Sequence, residues 1–199
     1  PWISKDSAGS TFRTVNATSY QNEFTYGDIL TSSYPLSASI TREYITTPYA
    51  NTASYNTHYV SLKNRLNFYG IRSQHYKVSS SYGDKDTQTL NLISIPSIFF
   101  GSGIKPGTLS LKWYYTGSLV GELKDERRNG ELIQVGPAGS PGSGSVAGVA
   151  MYDEGFLLLT GSWELDGTAI RLISGSASDV KPKWIYYGVG ANDTSTPNA

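Results

Sequence analysis

The stretch Leu109-Ser110-Leu111-Lys112-Trp113-Tyr114-Tyr115-Thr116-Gly117-Ser118-Leu119-Val120-Gly121-Glu122-Leu123 decides the fold. Leu109, Leu111, Trp113 and Tyr115 alternate strictly with Ser110, Lys112 and Tyr114. In an extended chain successive side chains point to opposite sides, so this run gives one apolar face. Thr116-Gly117-Ser118 then turns the chain, and Leu119, Gly121 and Leu123 continue the alternation. Two such runs around a glycine turn predict an antiparallel hairpin.

The flanking sequence repeats this logic. Leu90-Asn91-Leu92-Ile93-Ser94-Ile95 leads through Pro96 to Ile98-Phe99-Phe100 and stops at Gly101-Ser102-Gly103. Downstream, Asn129-Gly130 precedes Glu131-Leu132-Ile133-Gln134-Val135. Val146 to Tyr152 meets Asp153-Glu154-Gly155, which predicts a three-residue hairpin connection with Gly155 in the left-handed region, before Phe156 to Thr160. Asp166-Gly167 between Trp163-Glu164-Leu165 and Thr168-Ala169-Ile170-Arg171-Leu172 is a further hairpin signal. Strand-like runs separated by turn residues and not by helices predict antiparallel meanders, a sandwich or a barrel. Gly136-Pro137-Ala138-Gly139-Ser140-Pro141-Gly142-Ser143-Gly144 reads as a surface loop.

One helix is expected near residues 54–69. Tyr55, Tyr59, Leu62, Leu66 and Tyr69 fall on one stripe at 3.6 residues per turn. Thr52 or Ser54 can cap it, Gly70 suits a left-handed end, and Lys63 and Arg65 lie late in it, where the dipole favours cations. Residues 1–33 are polar and dotted with aromatics, without lasting periodicity, and read as an extended N-terminal arm that orders on a neighbour or on its own domain. Alternation starting at Leu36, with Ala38, Ile40 and Tyr44, opens the body. The expected organisation is an arm over 1–33, an antiparallel β domain with one helix over 34–188, and a polar tail over 189–199.

Composition narrows the function. A chain of 199 residues can bury roughly 70% of its unfolded surface, enough for a core without crosslinks. It has no cysteine, which excludes disulfides, thiolate metal sites and cysteine nucleophiles. Sixteen basic residues balance sixteen acidic ones, so the basic excess of a phosphate-gripping protein is missing, and no nucleic-acid partner is expected. No run of about 18 apolar residues predicts a membrane span, and Pro1-Trp2-Ile3-Ser4-Lys5-Asp6 lacks the regions of a signal peptide. The missing initiator Met fits either trimming or a piece of a longer chain. Asn16-Ala17-Thr18 and Asn192-Asp193-Thr194 are formal glycosylation sites that mean little without a secretory signal.

Constellations for chemistry are sparse. His58 and His75 are the two histidines, and neither stands in a catalytic motif. The carboxylate pairs Asp84/Asp86, Asp153/Glu154 and Glu164/Asp166 could do glycosidase work, but the last two sit in expected hairpin turns. Gly83-Asp84-Lys85-Asp86 holds a fragment of a calcium loop without its distal glutamate. Lys63, Arg65, Arg72, His75 and Lys77 form a basic group whose plain reading is a solvated face. No catalytic residue, cofactor or metal is expected. Trp113, Trp163 and Trp184 are candidates for stacking on sugars, with Trp113 and Trp163 expected inside regular strands and in the core.

A resemblance adds to this. Ser94-Ile95-Pro96-Ser97-Ile98-Phe99-Phe100-Gly101-Ser102-Gly103-Ile104-Lys105-Pro106-Gly107 runs on through Asn129-Gly130-Glu131-Leu132-Ile133-Gln134 and Gly142-Ser143-Gly144-Ser145-Val146-Ala147-Gly148-Val149. It continues in Tyr152-Asp153-Glu154-Gly155-Phe156-Leu157-Leu158-Leu159-Thr160-Gly161-Ser162-Trp163. This resembles a family of virion structural proteins of marine tailed bacteriophages, over about residues 35–175 and best over 90–163. The resemblance implies a place in the virion, synthesis in the host cytoplasm, and repeated contacts with other virion proteins. It supplies no functional residues. The expected function is a structural component of a phage particle, in tail, baseplate or fibre attachment rather than head, with Trp2, Phe12, Tyr20, Phe24 and Tyr26 as partner contacts. A carbohydrate-binding module of a phage fibre is the alternative, and a cell-envelope glycosidase using Glu164 or Asp166 a second one.

Overall fold

The computed structural model describes the strands at 2–5, 13–14, 30–33 and 41–45, and residues 57–115, 117–165 and 181–188. The chain divides into two units, Pro1–Ser39 and Ile40–Ala199. In the first, β1 (Trp2–Lys5) is flanked by β2 (Arg13–Thr14) and β3 (Leu30–Ser33) in an antiparallel sheet. Trp2 pairs with both Thr14 and Ser33. Phe12, Tyr20, Phe24 and Tyr26 lie outside the described residues.

The second unit is mainly β. Its strands are β4 (Thr41–Ile45), a small hairpin of β5 (Ser79–Ser80) and β6 (Gly83–Asp84), β7 (Leu90–Ser94), β8 (Ser110–Tyr115), β9 (Ser118–Lys124), β10 (Glu131–Gly136), β11 (Val146–Met151) and β12 (Phe156–Leu159). Seven of them form one antiparallel sheet in the order β4-β7-β12-β11-β10-β9-β8, curled into a half-barrel. The predicted hairpin of Leu109–Leu123 is β8–β9, with Trp113 opposite Gly121 and a register shift just after it. Gly155 closes β11–β12 with φ +73° and donates its N–H to the Met151 carbonyl at 3.0 Å, as its sequence predicts. β7 lies beyond β12, so the chain crosses the sheet between β7 and β8.

The helix α1 spans Thr57–Tyr69, and Tyr59, Leu62, Leu66 and Tyr69 are buried on its inner stripe. Burial of each such side chain contributes about 1.5–3 kcal/mol. Thr52, Ser54 and Tyr55 lie outside the described residues. Two expectations fail here. Gly70 does not take the left-handed conformation, because the helix tightens at its end, with Gly70 N–H bonded to the Asn67 carbonyl at 3.1 Å. Lys63 and Arg65 do not serve the helix end; they sit mid-helix and pair with Asp86 at 2.8 Å and Glu154 at 3.3 Å. Among the described residues no helix is long and apolar enough to cross a membrane.

Both faces of the central strands are covered. In β10, Glu131 and Gln134 are three residues apart and so point to opposite faces. Glu131 meets Ser73 beside the short 3-10 turn Gln74–Tyr76, and Gln134 meets Trp163 and Trp184. β12 is accordingly Phe-Leu-Leu-Leu, a continuous apolar run and not an alternating one. Trp163 is a correction: it lies in irregular chain after β12, half-buried, where a strand was expected. Leu165 N–H bonds the Pro182 carbonyl at 2.9 Å, which draws the segment 181–188 across this face. Trp184 packs there so closely that a Cβ on Gly121 would stand 2.5 Å from its ring, which is why β9 carries a glycine at that position. The hairpin expected at Asp166-Gly167 and the tail over 189–199 fall outside the described residues.

Candidate functional site

Phenols anchor the helix-side layer. Tyr69 donates to Asp153 at 3.1 Å and Glu154 at 2.8 Å, Tyr59 to Asp86 at 2.9 Å, and Tyr152 to the buried Asp125. Burial above all, together with these carboxylates, pushes the hydroxyls of Tyr59, Tyr69 and Tyr152 well above the ordinary phenol range. Asp125 also takes the backbone N–H groups of Gly107 at 2.8 Å and Gly130 at 3.1 Å. Among the described residues, the carboxylates of these pairs are engaged in hydrogen bonds or ion pairs within the fold. Asp153 and Glu154 hold Tyr69, and Asp84 accepts the Asp86 N–H at 2.9 Å in its own turn. Glu164 pairs with Lys181 at 2.8 Å, and Asp166 lies outside the described residues.

Beside this layer opens a polar cleft of about 520 Å³. One wall comes from the segment between α1 and β7, in His75, Tyr82, Lys85 and Gln88. The hydroxyl of Ser73 accepts the His75 N–H at 3.1 Å and so fixes the start of the turn. The His75 ring then stacks on Tyr82, centroids 4.1 Å apart, at the tip of the β5–β6 hairpin. The facing wall is Ser145 and Val146 at the start of β11 and Thr160, Ser162 and Trp163 after β12, with Arg127 at one side. Arg127 is committed to Glu131 at 2.6 Å. For Glu131, burial raises the pKa, but hydrogen bonds from Ser73 and Arg127 outweigh it and hold the carboxyl below its ordinary value. Burial lowers the pKa of His75, so the neutral ring is favoured.

Lys85 differs from its neighbours. It is 6% exposed, its Nζ donates to the Lys77 carbonyl at 2.6 Å, and among the described residues no carboxylate pairs with it. Burial drives its pKa down to about 8, only partly opposed by Asp84.

Of the tryptophans proposed for sugars, Trp113 and Trp184 are buried, with ring centroids 6.0 Å apart, while Trp163 lines the cleft. The basic group of the sequence is not brought together as one patch. Lys63 and Arg65 are paired on α1, Arg72 lies 5.5 Å over Tyr69 and 5.4 Å over Tyr152, and His75 enters the cleft. Lys85, Gln88 and Arg127 were not anticipated as cleft residues. The signal available was a lysine between two aspartates in a short turn, which reads equally well as solvated. Comparison with known family models, curated proteins and solved structures finds no match for this chain.

Proposed function

We propose that the chain is a non-enzymatic structural protein of a tailed-phage particle, in tail, baseplate or fibre attachment, which docks to other virion proteins in several symmetric copies. The observation that carries this is the outer stripe of α1. Val60 and Phe68 lie two helical turns apart with Ile71 just past the end, exposed by 38%, 65% and 95%. Asn64 and Asn67 lie between them on the same outer side, so the three apolar side chains are separate anchor points for a partner's surface and not a continuous apolar face. The resemblance over residues 90–163 names the class of protein that would cover them. A neighbouring virion subunit on this stripe would bury what the fold leaves in water.

The test is particle assembly with the double variant Phe68→Glu, Ile71→Glu. Both side chains are exposed, so the isolated fold should survive, as circular dichroism can verify. The reading expects the variant to be missing from purified particles. Incorporation at the unaltered level would contradict it.

A further inference from the structure

The cleft between the β5–β6 hairpin and the start of β11 holds a buried ammonium group with which, among the described residues, no carboxylate forms an ion pair, Asp84 acting on it only through space. Burying an ammonium group without an anion is costly, and hydrogen bonding to one carbonyl recovers only part of that. Lys85 is buried to 6% exposure with the Lys77 carbonyl as its hydrogen-bond acceptor. The other cation of the cleft, Arg127, is already matched by Glu131 at 2.6 Å. One buried cation is therefore without a directly bonded carboxylate, which suits one singly charged anion better than a phosphate of higher charge. The cleft that Lys85 lines is also lined by Ser145, Ser162 and Gln88, by Thr160, whose hydroxyl makes a long bond to the Ala147 carbonyl, and by Trp163 and Tyr82. Hydroxyl and amide groups match a polyol, and aromatic rings match the C–H face of a pyranose. The cavity, about 520 Å³, is within the ordinary range for small-molecule sites.

The geometry points to a binding site for an acidic saccharide, with a hexuronate carboxylate seated at Lys85 and the sugar hydroxyls along Ser145, Thr160 and Ser162. This site is separate from the outer stripe of α1 and does not depend on the docking role of that stripe.

The experiment is a titration of the full chain with trigalacturonate, followed by calorimetry and by the indole N–H signal of Trp163 in NMR spectra. Maltotriose, acetate and inorganic phosphate are titrated in parallel. The expected result is binding of trigalacturonate with movement of the Trp163 signal, and weakening by about ten- to hundredfold in Lys85→Met, the loss of one charge-assisted hydrogen bond. Lys85→Met keeps the length of the side chain and removes a lone buried cation, so its fold is retained. Ser162→Ala, at an exposed position, should weaken binding less. Equal binding of maltotriose, a response to acetate or phosphate as strong as to trigalacturonate, or undiminished binding by Lys85→Met would each overturn the assignment.

Discussion

The side-chain oxygen of Gln134 accepts the indole N–H of Trp184 at 2.9 Å, a contact buried at the centre of the sheet. The same oxygen accepts Trp163 at 2.8 Å, while the Gln134 amide nitrogen donates to Ser140 at 2.9 Å and to the Pro141 carbonyl at 2.8 Å. One fully buried amide thus ties β10 to its following loop, to the chain after β12 and to the segment 181–188. A buried donor that loses its acceptor costs about 1–3 kcal/mol. Gln134→Leu strands two indole donors, so a loss of roughly 2–5 kcal/mol is expected from urea denaturation. A change under about 0.5 kcal/mol would mean that this network does not hold the layers.

Gly130 occupies a position that no other residue can fill. Its φ is +91°, and a Cβ there would stand 1.8 Å from the Tyr76 hydroxyl and 2.8 Å from the Ala150 carbonyl. Tyr76 itself donates to that carbonyl at 2.5 Å. Gly130→Ala must strain the backbone and also break the Tyr76 contact, so a loss of about 3 kcal/mol or more is expected in thermal or denaturant unfolding.

The pH dependence of stability has a definite shape. The Lys85 pKa falls from 10.5 to about 8 on folding, so between these values the unfolded chain binds more protons and stability rises with pH. The full effect is roughly 3 kcal/mol, a penalty present at neutral pH and relieved above about pH 8. His75, also lowered by burial, acts with the same sign below its ordinary 6.5. The buried tyrosines act oppositely. Their raised pKa values favour the protonated fold, so stability falls once the unfolded phenols ionise above about 10. Maximum stability is expected near pH 9 to 10, and Lys85→Met should remove the rise on the alkaline side of neutrality. Denaturant midpoints across pH 6–11 for both proteins are the measurement.

Among the described residues, the strands of the seven-stranded sheet begin at Thr41, and residues 1–33 fall in the other unit. Deleting residues 1–33 should therefore leave β-sheet circular dichroism and a cooperative unfolding transition. If the segment is a docking arm with Trp2, Phe12, Tyr20, Phe24 and Tyr26 as contacts, the shortened chain should also fail to enter particles. Normal assembly of the shortened chain would end that part of the proposal.

Local patterns made most of the sheet legible. Alternation at Leu111, Trp113 and Tyr115, the turn glycine at 155, and the stripe Tyr59-Leu62-Leu66-Tyr69 are set by periods of 2 and 3.6, which a sequence displays directly. Strand order was not legible in the same way. β4 and β7 lie beyond β12 because long-range burial decides it, and nothing near Leu90 or Thr41 records that choice. Trp163 misled because an aromatic between Ser162 and Glu164 looks like strand alternation, whereas its place is fixed by Gln134, 29 positions away. The cleft was invisible for the same reason. His75, Lys85, Arg127, Ser145 and Trp163 come from four separate stretches of chain, and only the folded sheet brings them together.

The most direct measurement of the docking account is a density map of intact particles, resolved well enough to trace α1. The account predicts this chain in several symmetric copies, with Phe68 and Ile71 covered by a neighbouring virion protein. A particle without the chain, or one in which both side chains face open solvent, would contradict it.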